Sequence, residues 1–405
     1  MALYIVDDPS EKHLHKQNKF DAYKQAFLEN RNPDIKILLN LIGCYKFFLI
    51  TPMSLGEGTI PRFAKYLSVF ISAMCVVNCF FSISLFYGQT KEAPVTLFMV
   101  GLLFRVMGML FLVFTVLNAN VLKQENWIIT LKSLNQAESI FRKLGFETTK
   151  KRFRLVAELA FVFVPFLILK TLQIYIYSHI GDLRFLCIHG GGIITDLYIS
   201  FFIFFMMRLN AVLTSRYSFM DTDLKMTVVE QLKDQQKVRR LEDIIILYKT
   251  LKTLVDRLNM IFGAHLFFYV CYIVTSLLLT FSFRININSL DRDLMNLSIW
   301  RICSSVINII WLTVFVMSCN SVETSGAKLT KTCYMLHEGC NSQLVKEQLM
   351  QLAEYVEQWK PNLSAAGFYN VNQSTLSAVF EAIITYLVII IQFNLALEET
   401  AKAQT

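Results

Sequence analysis

Hydrophobic positions in this chain collect into seven blocks long enough to cross a bilayer as helices, which takes roughly 20 residues each. They run Tyr66 to Tyr87, Val95 to Leu117, Leu155 to Tyr177, Ile193 to Leu213, Phe262 to Ile285, Ile299 to Asn320, and Leu376 to Leu397. An eighth apolar stretch, Ile35 to Ile50, is interrupted by Lys36 and Lys46 and reads as a helix lying at the membrane interface. Between the blocks the pattern changes from continuous to striped. Val238, Leu241, Ile245, Tyr248, Val255, Leu258 and Phe262 recur at helical spacing on a segment that enters the fifth block, and Val345, Leu349, Leu352, Val356 and Trp359 do the same further on. Two amphipathic helices need an apolar partner. The predicted fold is therefore an all-α membrane protein with seven transmembrane helices and a helical bundle outside the membrane, formed within and between subunits, with a bundle inside one chain only as the alternative. The organisation follows: 1–65 is an N-terminal segment with the interfacial helix, 66–213 holds spans one to four, and 214–261 is an amphipathic helix. Residues 262–320 hold spans five and six, 321–375 is a second helical segment, 376–397 is the last span and 398–405 is a short tail.

The last span is patterned unlike the others. At about 100° per residue, Ser377, Glu381, Thr385, Gln392 and Glu399 fall within an arc of about 80°, with Val379, Leu387, Ile390 and Ile391 outside it. A polar group in hydrocarbon costs several kcal/mol unless it meets water or a partner. This face therefore looks at other protein or at an aqueous path, and spacing leaves both open: contact between helices, or the lining of a pore.

Composition confirms the class. The 405 residues are 54% hydrophobic and 17% charged, with mean hydropathy +0.45, too apolar for a soluble protein of this size. The net charge of +8 is not a nucleic-acid footprint, because the Lys and Arg residues sort by side of the membrane. The segments before the first span and at 118–154, 214–261 and 321–375 hold 30 of them; the alternate connections hold Lys91, Arg184, Arg292 and Lys402 only. The positive-inside rule then puts the N-terminus and the helical bundle in the cytosol and the C-terminus outside. No N-terminal signal is visible in the first residues. That orientation is opposite to a G-protein-coupled receptor, and Asp256-Arg257-Leu258, superficially like the DRY triplet of those receptors, precedes the fifth span. A transporter of inverted repeats is not supported either, since no repeat is evident and Pro165 is the lone proline inside a span.

Enzymatic signals are weak. His189-Gly190-Gly191-Gly192 matches the HGGG oxyanion motif but lacks a G-x-S-x-G elbow, and its glycines suit a tightly packed helix entry. Nucleotide, zinc-protease and dinucleotide motifs are absent, and nine scattered cysteines make no disulfide framework. The chain reads as a non-enzyme needing no cofactor or metal. The outer connections are short, so an extracellular ligand must be small and must bind among the outer halves of the helices. Arg105, Lys170, Asp196 and Arg301 lie in or at the edge of spans, where a charge facing lipid is costly. Asp196 with Lys170 or Arg105 suits a structural ion pair. The same residues with Tyr175, Tyr198, Trp300 and His179 also suit a ligand pocket, although Tyr175 and Trp300 equally fit interface anchors.

Thr385-Tyr386, five apolar residues and Gln392-Phe393 resemble the TYhhhhhQF signature (h, any apolar residue) of insect gustatory receptors. Ala366-Gly367-Phe368 and Leu376 upstream, and Leu258-Asn259 with Phe262-Gly263 at the entry to the fifth span, add to the resemblance. It is motif-level in the last third of the chain and extends elsewhere through length and span layout. It implies a multi-pass receptor in the plasma membrane of gustatory neurons, a ligand-gated cation channel built as a homotetramer or with related subunits, each giving its last helix to a central pore. Gln392 and Phe393 would then sit at the extracellular constriction, Ile389 would add a second apolar ring, and Glu381 would favour cations or pair with a cytosolic Lys. Thr385 and Tyr386 would position the helix. Sugar-type members tend to carry an acidic residue after the TY pair; Leu387 stands there, which points away from that subfamily, leaves a fructose-type receptor open, and makes bitter or other plant compounds the first choice of tastant.

Overall fold

The computed structural model describes residues 33–46, 48–52, 62–89, 95–146, 152–180, 183–230, 232–286 and 292–404. Its first helix, α1 (Pro33–Tyr45), starts with Pro at the first turn and Asp34 beside it, where a missing N–H and a negative charge are both tolerated. Ile35, Leu38, Ile42 and Tyr45 share one buried face. The stretch expected at the membrane interface thus turns its apolar side onto protein.

The seven expected spans are all present as helices: α2 (Arg62–Gln89), α3 (Val95–Leu117), α5 (Arg152–Ile180), α6 (Leu183–Val229), α7 (Asp234–Asn286), α8 (Arg292–Gly339) and α10 (Gln373–Gln404). Between α3 and α5, a wide π turn at Asn118–Leu122 leads into the amphipathic α4 (Gln124–Lys143). There the buried Asn118 amide donates to the carbonyl of Ile261 on α7. The sixteen-residue α9 (Gln343–Gln358) follows α8.

Three helices outrun the membrane. At about 1.5 Å per residue, the 47, 53 and 48 residues of α6, α7 and α8 reach roughly 70–80 Å, against about 30 Å of hydrocarbon. No break separates span from bundle at 213, 261 or 320, so the bundle is the continuation of the spans themselves. Its interior joins Tyr217, Met220 and Leu224 of α6, Leu241, Leu247, Tyr248 and Leu254 of α7, Val322, Leu329 and Cys333 of α8, and Val345, Leu349, Leu352 and Val356 of α9. Each buried apolar side chain of this size contributes about 1.5–3 kcal/mol. Both predicted stripes are consumed within one chain. Trp359, expected on the second stripe, is instead half exposed: it caps α9 with a non-helical backbone, and its carbonyl accepts the Tyr248 hydroxyl at 3.0 Å.

Arg216 fastens the periphery of this bundle. It is buried, pairs with Asp34 of α1 and with Glu138 of α4 (3.1 Å), and lies over the rings of Phe141 (5.5 Å) and Phe146 (4.7 Å). A guanidinium suits such a site because its planar fork serves two carboxylates and stacks on aromatics.

Candidate functional site

A cavity of about 1080 Å³, counted out to its open mouth, lies among α2, α3, α5, α6, α7 and α8, in the half of the spans away from the bundle. Five of the seven residues proposed for ligand binding line it: Arg105, Lys170, Asp196, Trp300 and Arg301. They come from four spans, Arg105 from α3, Lys170 from α5, Asp196 from α6 and the consecutive Trp300 and Arg301 from α8, and meet where those helices face one another.

Of the two ion pairs open to Asp196, the structure forms the one with Lys170, whose ammonium also donates to Gln173 Oε1 at 2.9 Å. The second carboxylate oxygen of Asp196 accepts the Tyr272 hydroxyl at 2.6 Å. Arg105 turns elsewhere, donating from Nε to Ser82 Oγ at 3.0 Å and from Nη1 to the Gly101 carbonyl at 3.1 Å. Trp300 is a buried wall residue, its indole N–H on the Leu169 carbonyl at 3.2 Å and its ring 5.8 Å from Lys170 Nζ. Structural pair and cavity wall are thus the same residues.

Two expected pocket residues lie elsewhere. Tyr175 is exposed, on the outward face of α5. Tyr198 points to the segment after α1, its hydroxyl donating to the Phe48 carbonyl at 2.9 Å. The side chain of His179 lies outside the described residues. Sequence reasoning missed Tyr272, which orients Asp196 and stacks on Phe104 at 4.7 Å between centroids. It also missed Gly108, where a Cβ would come within 3.2 Å of both Thr195 and Tyr272. A single tyrosine or glycine within an apolar run carries no pattern that singles it out.

At the other candidate site, α10 rests on α7 and α8 through a narrow stripe of Val379, Ile383 and Ile390. These three fall within about 40° of one another around the axis, diametrically opposite the polar arc. Ser377, Glu381, Thr385 and Gln392 are all exposed, and the Thr385 hydroxyl bonds only back to the Glu381 carbonyl of its own helix. Tyr386, Ile389 and Phe393 are exposed as well. Within the subunit, then, the polar stripe faces away from every described neighbour of α10; the reading as contact between helices of one chain does not fit it.

The residues at the entry to the fifth span seat the start of α10. A two-residue hairpin, β1 (Ser364–Ala365) against β2 (Tyr369–Asn370), precedes α10 and turns through Ala366 and Gly367, both at positive φ (54° and 82°). Asn259 of α7 grips it, giving its amide N–H to the Asn362 carbonyl (2.8 Å) and accepting the Ser364 N–H (2.9 Å). Gly263, one turn on, lets the hairpin backbone touch α7: a Cβ there would lie 2.8 Å from Ala366 N and 3.2 Å from the Ser364 carbonyl oxygen. Phe368 then packs on Phe267 at 5.0 Å. Residues separated by a hundred positions form one mechanical joint between the cavity-lining α7 and α10.

The sequence model of a family described as 7tm Chemosensory receptor matches residues 60–397. The gustatory and pheromone receptor 39a, isoform C, of Drosophila melanogaster is 32% identical over 107 residues, 24% of this chain and 26% of the relative, so the match spans about a quarter of that protein's length. The structure of the insect olfactory receptor OR5 from Machilis hrabei superposes with TM-score 0.63 at 10% identity, covering 89% of this chain and 98% of that one. Its complex with eugenol gives 0.59 at 11% identity over 89% and 100%. At such identities the likeness is one of fold.

Proposed function

The chain belongs to the 7tm chemosensory receptor family, and from that membership we propose that it is a gustatory receptor acting as a ligand-gated, non-selective cation channel. It sits in the plasma membrane of gustatory neurons with its N-terminus and helical bundle cytosolic and its C-terminus outside, and it detects small tastants, bitter or other plant compounds. The observation that carries this reading is the opposition of the two faces of α10. A helix held by Val379, Ile383 and Ile390 offers Glu381, Thr385 and Gln392 to whatever lies on its far side. One helix cannot enclose a pore. Four copies, or this chain with related subunits, enclose one, and the polar stripe then meets water instead of lipid.

In that assembly Phe393 and Gln392 form the outer constriction, with Ile389 about one turn inward as a second apolar ring that excludes water while closed. Glu381, deeper on the stripe, draws cations. Thr385 and Tyr386 set the helix against its neighbours. The tastant occupies the cavity, a reading favoured by its apolar walls and convergent polar groups and by the eugenol complex of a receptor with this fold. Movement of Tyr272 moves α7, and α7 carries the start of α10 through Asn259 and Gly263. Gating is then a shift of packed helices along one continuous rod.

The test is to record from outside-out patches of cells expressing only this chain, in nucleotide-free internal solution, while applying sugars and plant alkaloids and other plant compounds. Ligand-evoked cation current that persists in such patches is expected, with rectification or resting leak altered by Gln392→Ala and Phe393→Ala. A response seen in whole cells but lost in the patches overturns the mechanism in favour of second-messenger signalling.

A further inference from the structure

Cations gather at one corner of the membrane edge, where Arg216 of α6 joins Asp34 of α1 and Glu138 of α4. Glu158 of α5 pairs with Arg208 of α6 at 2.7 Å. These consecutive spans run in opposite directions, so Arg152 lies about 9 Å from Glu158 towards the bundle, close to the level of Arg216. Phe201 of α6 touches Tyr45 of α1 (5.4 Å between centroids) and Phe163 of α5 (5.2 Å), which places both helices along one side of it. Three exposed cations stand on described helices at this corner: Lys36 in the first turn of α1, and Arg142 and Lys143 in the last turn of α4. Arg152 and Arg154 open α5 immediately before the span that begins at Leu155. Lys150 and Lys151, between them in sequence, lie outside the described residues, and Glu147 is the lone acid from Ser139 to Ala157.

The local carboxylates do not answer this charge. Glu138 stands one turn before Arg142, the spacing of a surface ion pair, yet it is buried against Arg216, and Asp34 turns to the same guanidinium. Lys36, Arg142 and Lys143 form no ion pair with any described residue. The positive-inside rule asks for cations on this side of the membrane. It does not ask that they gather at one corner while the acids are turned away. On the membrane side of the corner, Val156 and Leu159 of α5 are exposed and offer an apolar track for an acyl chain.

We propose that this corner binds an inositol lipid carrying two or more phosphates, its headgroup among Lys36, Arg142, Lys143, Arg152 and Arg154 and its acyl chains along Val156 and Leu159. Basic clusters directly beside a span attract anionic lipid, and arginine forks take phosphate oxygens in pairs. Several cations at one lipid-sized spot favour a headgroup of several charges over a headgroup of one. The inference rests on the cytosolic placement of the bundle, the side on which such lipids lie.

The probe is phosphatidylinositol bisphosphate, titrated into the purified full chain in neutral detergent and counted as mass steps by native mass spectrometry. It is expected to bind at least about tenfold more tightly than phosphatidylserine. Arg142→Gln and Lys143→Gln should each weaken it about fivefold, the size expected for one cation beside an anionic headgroup, and Lys36→Gln should behave alike. Arg152→Gln combined with Arg154→Gln tests the contribution of α5. Arg239→Gln removes the same charge from an exposed position of α7 roughly 35 Å beyond the fifth span and should leave binding unchanged. Should a variant aggregate, the lipid series on the unaltered chain carries the test. Equal affinity for phosphatidylserine, a loss in Arg239→Gln as large as in Arg142→Gln, or no binding overturns the inference. Free inositol trisphosphate binding as tightly as the lipid overturns the lipid as occupant. Detergent has no sides, so orientation is read separately, by staining a C-terminal tag on unpermeabilised cells. Binding with an unstained tag keeps the headgroup site and overturns its cytosolic placement, whereas staining without binding keeps the orientation and overturns the site.

Discussion

The fourth and seventh spans are both apolar helices of one subunit, and they are used in opposite ways. The most apolar part of α6 has mean hydropathy 1.7 and is 67% buried inside the chain; that of α10 is more apolar, at 2.1, and only 17% buried. In water the more apolar segment would take the centre. In a bilayer, lipid tails are as apolar as leucine, so hydropathy selects what enters the membrane and leaves open what becomes the core of the subunit. The centre goes to the helix with shape on every side: Phe202, Phe204 and Phe205 of α6 interlock with Phe111, Tyr269, Trp127 and Phe163 on four neighbouring helices. The last helix keeps one narrow seam and leaves the rest for lipid and, on the proposed function, for other subunits.

If that contrast is right, truncating the same kind of side chain must have unequal effects. Phe202→Ala, at the junction of α3, α6, α7 and α8, should destabilise the subunit by about 3–5 kcal/mol and abolish a monodisperse peak in fluorescence-detected size exclusion. Gly263→Val comes next, because its added atoms drive the hairpin off α7; a cost of about 1–3 kcal/mol is expected for such overpacking, with current lost before surface expression is. A Gly263→Val channel with unchanged ligand response would break the proposed joint between cavity and pore.

Smaller effects are expected on α10. Glu381→Gln should leave stability within about 0.5 kcal/mol, as for an exposed surface position, yet reduce cation over anion permeability measured from reversal potentials in dilution gradients. Unchanged permeability would remove Glu381 from the conducting path. Ile384→Ala, with 62% of its surface exposed, should be the mildest, within about 0.5 kcal/mol and without effect on gating. A large change in oligomeric state there, read by size exclusion, would show that this side of α10 meets a second copy of the chain.

Seven spans, the two amphipathic stripes and the polar arc of α10 were legible in the sequence because each is a periodic property of consecutive residues. So was the convergence of Arg105, Lys170, Asp196, Trp300 and Arg301, though only as a class: intramembrane charges avoid lipid, wherever they point. Their partners were not legible. Nothing in spacing distinguishes Lys170 from Arg105 as the mate of Asp196, because the choice depends on the rotation of α3 and α5 about their axes, set by packing elsewhere. Tyr175 and Tyr198 were misplaced for the same reason, since each lies a fraction of a turn away from the cavity wall.

By itself the sequence determined what each segment is: helical throughout the spans, apolar enough for the membrane, striped beyond it, and polar along one arc of the last helix. Those are local properties, carried by side-chain chemistry at a repeat of 3.6 residues. Only the tertiary structure decided which faces meet. It set the α10 seam opposite the polar arc, closed Asp196 between Lys170 and Tyr272, and brought Asn259 and Gly263 onto a hairpin about a hundred residues away. Such choices arise from the fit of many side chains at once, and no single stretch of chain contains them.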